Sequence, residues 1–198
     1  MARRACDWSS FRSFFALFAA LLLAACASLS QNSLPAEKTN ADSFSLTGRI
    51  ALREQDRILS GSIRWQHDAA HDDILLLSPL GQGVMQIERD ATGAMLRTSD
   101  GKQYRAPDAE ELAFNVTGWH VPVAGLTSWV RAAPTHEAVA SVTRDEYGRL
   151  AKLVQQGTNI EYQAYFDAPG SNLPKRIVVT RPEFELKLIV DSWDSAAQ

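Results

Sequence analysis

Cysteine is nearly absent: the 198 residues hold two, Cys6 and Cys26. A surplus of positive charge is also missing, since 20 Lys and Arg stand against 23 Asp and Glu for a net charge of −3. Without a basic excess to neutralise phosphates, nucleic acid is not an expected partner. No apolar run reaches the roughly 20 residues that a membrane-crossing helix needs; the longest, Phe14 to Ala25, is shorter. Internal repeats and low-complexity stretches are lacking. The remainder, 45% apolar, 22% charged and 9% aromatic, is ordinary globular composition and excludes disorder, collagen and a multi-span membrane protein.

Catalytic signatures are missing as well. There is no HExxH and no GxSxG. His67 and His71, spaced i, i+4 among Asp68, Asp72 and Asp73, lack helical context and read as a solvated hairpin turn rather than a metal site. Gly81-Gln82-Gly83 reads as turn chemistry, because no helix follows it to cradle a phosphate. Glu110 and Glu111 face different directions on a helix, and Asn115-Val116-Thr117 is read as a chance match to a glycosylation acceptor. No metal, nucleotide or redox cofactor is expected.

What is present begins with an export signal at residues 1–25, where Arg3, Arg4 and Arg12 precede the apolar run. Removing its three Arg and one Asp takes the net charge from −3 to −5. It also leaves Cys26 alone, so no intramolecular disulfide is expected. Leu23-Ala24-Ala25-Cys26 resembles the bacterial lipobox, which implies that the Cys26 sulfur receives a diacylglycerol and the new amino terminus a further acyl chain. Two or more buried chains anchor a protein essentially permanently at about 0.8 kcal/mol per CH₂. Ala27 and Ser28 after the cysteine, in place of an Asp, imply the outer membrane. Residues 26–43 read as the lipidated terminus and a tether, rich in Ser, Asn and Ala and broken by Pro35. The 17 residues after Cys26 have an r.m.s. span of about 20 to 25 Å as a free chain.

From residue 44 to 198 the spacing predicts one domain with a dominant period of two. Phe44, Leu46, Gly48, Ile50 and Leu52 alternate with Ser45, Thr47, Arg49 and Arg53, and Leu59, Gly61, Ile63 and Trp65 repeat the pattern after a turn at Gln55-Asp56. Further strands are expected at Ile74–Ser78, Gly83–Arg89, Ala94–Ser99, Gln103–Ala106, Ala138–Arg144, Arg149–Gln155, Ile160–Phe166, Lys175–Arg181 and Phe184–Asp191. About eleven antiparallel strands exceed what a flat sheet holds, so a mainly β, unclosed barrel is the expected fold. The insertion at 107–134 has a helical period. Asp108 is a candidate N-cap with Glu111 three residues on, Gly118 is a candidate stop, and Leu126, Trp129 and Val130 form a single stripe after Pro122. These helices are expected to lie over the concave face as a lid.

Apolar residues on that face can either fill a core or line a ligand cavity. The candidate lining is Ile50, Ile63, Trp65, Met85, Ile87 and Leu96 from the first strands, Trp119, Leu126 and Trp129 from the lid, and Leu186 and Leu188 from the last strand. Trp129 is expected to report occupancy by its emission. On propensity alone Leu80, between Pro79 and Gly81, would fold back to cap the core, but in a membrane-anchored protein a protruding leucine can enter the acyl boundary, and membrane insertion is the expected role of Leu80.

Several segments together resemble the LolB family of outer-membrane lipoprotein receptors: Ile63-Arg64-Trp65-Gln66, Leu75-Leu76-Leu77-Ser78-Pro79-Leu80-Gly81, Asp100-Gly101-Lys102-Gln103-Tyr104, Gly118-Trp119-His120-Val121-Pro122, and Asp191-Ser192-Trp193. The order and spacing of these segments carry the resemblance, which runs from the lipobox almost to the C-terminus. It departs at Ala36 to Asp42, where the family often has an N-terminal helix. The resemblance implies a half-barrel with a helical lid over an apolar cavity, and no enzymatic activity. Its implied partners are the periplasmic carrier LolA, acylated lipoprotein cargo and outer-membrane phospholipid. It implies a monomer held by Cys26, facing the periplasm, that inserts cargo into the inner leaflet. It also places the family's protruding loop leucine at Leu80. The competing expectation is a scaffolding lipoprotein with a filled core.

Overall fold

The computed structural model describes residues 43–167 and 171–194; Cys26, the export signal and the segment Ala36 to Asp42 lie outside them. Eleven strands form one antiparallel sheet: β1 (Phe44–Glu54), β2 (Arg57–His67), β3 (Asp72–Leu77), β4 (Gly83–Asp90), β5 (Gly93–Thr98), β6 (Gln103–Ala106), β7 (Val139–Arg144), β8 (Leu150–Gln155), β9 (Thr158–Tyr165), β10 (Pro174–Arg181) and β11 (Phe184–Asp194). Their order is β6-β5-β4-β3-β2-β1-β11-β10-β9-β8-β7, so the first and last strands pair in the middle and the barrel stays unclosed between β6 and β7. Each predicted strand is present. Tight turns join nearest neighbours in sequence, and the alternation then fixes which face is buried, because a one-residue slip would turn every apolar side chain outward.

The sheet curls where it has no side chain in the way. A Cβ on Gly48 would overlap the Ile189 carbonyl oxygen, and one on Gly61 would overlap that of Leu77. Register shifts at Thr47/Gly48 and Leu76/Leu77 lie beside these close approaches. Glycines and bulges in adjacent strands bend a sheet and increase its twist.

Between β6 and β7 the chain forms helices α1 (Ala109–Thr117) and α2 (Val123–Trp129). Asp108 caps α1, its side chain accepting from the Glu111 N–H at 2.8 Å, and Gly118 ends it in the left-handed region at φ 70°. Pro122 precedes α2 without a side-chain cap. Helix α1 buries Ala109, Leu112 and Ala113 and packs on β5 and β6, whereas α2 buries Val123, Gly125, Leu126 and Trp129.

The segment from His67 to Asp73 is less solvated than its composition suggests. Asp68 does organise the turn, accepting from the N–H groups of Ala70 and His71. Asp72, however, is 1% exposed; its carboxylate accepts from Trp65 Nε1 at 2.9 Å and Arg89 Nε at 2.6 Å and lies 2.7 Å from His67 Nδ1. Burial alone would raise this carboxyl's pKa, but the bonds from His67, Trp65 and Arg89 outweigh it and hold it below the ordinary range.

A lidded apolar cavity and an exposed leucine

Under α1 and α2 the concave face of the first strands does not fill. It walls a cavity of about 210 Å³. The floor comes from Ile50, Leu52, Leu59, Ile63 and Trp65 on β1 and β2 and from Ile74, Leu76, Met85 and Ile87 on β3 and β4. The roof comes from Ala113, Thr117, Trp119, Val121, Val123 and Leu126. Thr117 supplies the single polar side chain of that lining, and its hydroxyl donates to the Ala113 carbonyl at 2.6 Å. Such a surface offers an occupant no hydrogen bond and no charge, so it selects for hydrocarbon. Cavities of about 150 Å³ with apolar walls stay dry and take up small hydrocarbons, while whole drug-sized ligands need roughly 300 to 1,000 Å³. The cavity as it stands therefore has room for a small hydrocarbon group and not for a drug-sized ligand.

The connection between the helices is fastened to the β1–β2 hairpin. The Arg57 guanidinium donates to the carbonyls of Thr117 at 3.2 Å and Gly118 at 2.6 Å and to Glu54 Oε2 at 2.6 Å, and lies 4.4 Å over the Trp119 ring. Glu54 Oε1 lies 2.7 Å from His120 Nδ1. Burial raises the Glu54 carboxyl, but the bonds and charge of His120 and the bond from Arg57 outweigh it and lower its pKa overall. Arg57 thus satisfies carbonyls that the end of α1 would otherwise leave open.

Seven of the expected lining residues, Ile50, Ile63, Trp65, Met85, Ile87, Trp119 and Leu126, stand on the cavity wall. Four do not, and the placement of each corrects the sequence reading. Leu96 is fully buried on β5, one of the strands covered by α1. Leu186 and Leu188, 1% and 3% exposed, pair across from Val179 and Ile177 in the packed core of the other half of the sheet. Trp129 is also fully buried. Its ring lies against Gly125, where a Cβ would overlap it, and its Nε1 donates to Gln155 Oε1 at 3.2 Å. Trp129 is therefore a core residue, and Trp119 is the lid tryptophan that faces the cavity. Among the residues missed, Leu52 and Leu59 carry a usable signal, since the period of two puts them on the same strand faces as Ile50 and Ile63, whereas Ile74 and Leu76 join the lining through their pairing with Trp65 and Ile63.

Leu80 does not cap the core. It is 88% exposed at the tip of the β3–β4 hairpin, held out by a turn in which the Gly81 N–H donates to the Ser78 carbonyl and the Ser78 N–H to that of Gln82, both at 2.8 Å.

The family model of the outer membrane lipoprotein LolB matches residues 42–193. The chain belongs to the LolB family. A LolB from Nitrosomonas europaea is 42% identical over 152 residues, covering 76% of this chain and 72% of its own. One from Thiobacillus denitrificans is 41% identical over 157 residues, covering 79% and 82%. One from an Azoarcus species is 38% identical over 185 residues, covering 93% and 95%. Among solved structures, a LolA superfamily protein from Nitrosomonas europaea aligns with a TM-score of 0.45 at 10% identity, over 79% of this chain and 87% of its own.

Proposed function

We propose that the cavity beneath α1 and α2 takes the acyl chains of a lipoprotein delivered by LolA, and that the protein then passes them to the inner leaflet of the outer membrane. Membership of the LolB family makes the chain a receptor in lipoprotein localisation, and no enzyme. The observation that carries the acyl-binding reading is the almost wholly apolar lining of a cavity roofed by the two helices. A scaffolding lipoprotein would have no use for such a void, because an unfilled apolar cavity costs stability in proportion to its size.

In this reading residues 1–25 are removed, Cys26 carries the lipid, residues 26–43 tether residues 44–198, and the protein works as a monomer on the periplasmic side of the membrane. Leu80 enters the acyl boundary, where burying its side chain contributes about 1.5 to 3 kcal/mol, and so brings the cavity to the bilayer. Moving acyl chains between two apolar cavities exchanges nearly cancelling transfer terms, so a small difference in affinity sets the direction. A bilayer covers the chains more completely than a cavity does, and it takes them last.

The test is a hand-off. The full chain, reconstituted in vesicles, should strip an acylated lipoprotein from LolA, and a fluorescent long-chain fatty acid should compete for the site. Failure of both uptake and competition would return the protein to the scaffolding reading. Leu80→Glu should accept cargo normally and release it slowly; release at the parental rate would remove Leu80 from the mechanism.

A further inference from the structure

Strand β3 carries apolar residues on both faces, as β10 and β11 do at Val178 and Ile189. Antiparallel strands with one face on a core alternate apolar and polar residues, and Ile74 and Leu76 of β3 face the cavity as expected. Leu75 and Leu77 between them must then point to the outer, convex face, where both are only half-buried. Val84 on β4, next to Gly83 across from Leu77, is 39% exposed; Ile58, four residues along β2 from Leu77's partner Ser62, is 68% exposed, and Leu80 projects from the β3–β4 hairpin. Ion pairs occupy the outer face elsewhere, with Arg97–Glu88 across β5 and β4, Arg49–Asp191 across β1 and β11, Lys187–Glu185 on β11 and Lys152–Glu161 across β8 and β9.

The apolar group has a cationic rim. Arg64 lies directly across from Leu75, and Arg53 directly across from Ile58. Both arginines are exposed, and neither has an ion pair among the described residues; Glu185, across from Arg53 on β11, is taken by Lys187. Exposed aliphatic side chains flanked by unpaired guanidinium groups match a phospholipid interface, which presents hydrocarbon beneath a layer of phosphates.

We infer that the convex face of β2–β4 is a phospholipid-binding surface, on which Leu75, Leu77, Ile58 and Val84 rest in the interface beside Leu80 while Arg53 and Arg64 take headgroup phosphates. This rests on the reading of Cys26 as anchor and Leu80 as membrane contact, and the experiment separates the two. The lipidated full chain, carrying a dye on Leu77→Cys, Leu80→Cys or Lys187→Cys, is reconstituted in phosphatidylethanolamine vesicles with a minority of phosphatidylglycerol and a nitroxide-bearing lipid. Quenching is expected at positions 77 and 80 and absent at 187. In the Arg64→Ser background the ratio of quenched to unquenched dye at position 77 should fall about fivefold.

Quenching at 80 alone would overturn the inference and keep the Leu80 reading, whereas quenching at neither would remove both. Equal quenching at 187 would mean adsorption without orientation and would also overturn it. So would a dye at 77 that responds to soluble carrier protein and not to lipid.

Discussion

Strands β1–β4 and strands β8–β11 turn equally apolar concave faces inward, yet the first set walls an apolar cavity of about 210 Å³, whereas the second packs around Trp129 and leaves a polar-walled pocket of about 250 Å³ toward β7, lined in part by Arg131, Arg144, Arg149 and Tyr165. The difference lies in what the lid delivers to each. Over β8 and β9, α2 lowers the fully buried Trp129 onto Gln155 and Tyr162. Gln155 and Tyr162 hold it there, the first accepting from its Nε1 and the second donating to its carbonyl at 2.9 Å. Over β1–β4 the lid offers Ala113, Val121, Val123 and Leu126, side chains too small to reach the floor, with Trp119 drawn to the rim under Arg57. Both halves hold the lid, through Arg57 and Glu54 on one side and Gln155 and Tyr162 on the other, but over β1–β4 it leaves apolar room beneath.

The two halves should respond differently to the same kind of change. Trp129→Ala removes a large side chain from a packed site, and unfolding experiments should show a loss of about 3 to 5 kcal/mol. Met85→Ala, on a half-exposed wall that already borders a void, should cost only about 1 to 2 kcal/mol. Equal losses would mean that the hollow half is as tightly packed as the filled one.

Acid and alkali sharpen the contrast. The hollow half is held by Glu54 and Asp72, carboxyls whose pKa values lie below 4.5 and 3.8 respectively. Their contribution is present above those ordinary values and is lost as pH falls through the lowered ones. The filled half is held by the non-titrating Gln155 and by Tyr162 and Tyr165, whose hydroxyls are pushed up by burial, that of Tyr165 to about 12. Their contribution is lost as pH rises above 10.0, where the unfolded chain sheds its protons first. Hydrogen exchange followed at several pH values should show α1 and the β2–β3 hairpin opening first in acid and β8–β10 opening first in alkali. The reverse order would break the assignment.

Filling the cavity should separate binding from stability. Ala113→Leu points a larger side chain into open space; uptake of a fluorescent fatty acid should fall about tenfold while stability stays within about 1.5 kcal/mol of the parent. The smallest effect is expected from Arg57→Ala, which releases the helix connection at a cost of about 1 kcal/mol and should speed fatty-acid entry in stopped-flow mixing. An unchanged entry rate would mean that the lid does not open at this hairpin.

The strands, both helices and their caps were legible because period two, period 3.6, Asp108 and Gly118 are local signals. Which apolar residues line space and which line core was not. Ile50 and Leu188 are cross-strand neighbours of the same chemistry and period, and one faces the cavity while the other is sealed. That outcome depends on the volume the lid brings over each, a long-range property set by the seating of Trp129 against Gln155 and Tyr162. Asp72 was misjudged for a similar reason, because its partners Trp65 and Arg89 come from two neighbouring strands.

The central claim, that acyl chains occupy the hollow half alone, is tested by which tryptophan they touch. A fatty acid carrying a nitroxide on its chain should be added to two variants, one keeping Trp119 and one keeping Trp129 as the sole tryptophan of the domain. Strong quenching of Trp119 with Trp129 unchanged is the predicted result; quenching of Trp129 with Trp119 unchanged would place the chains in the other half and contradict the account.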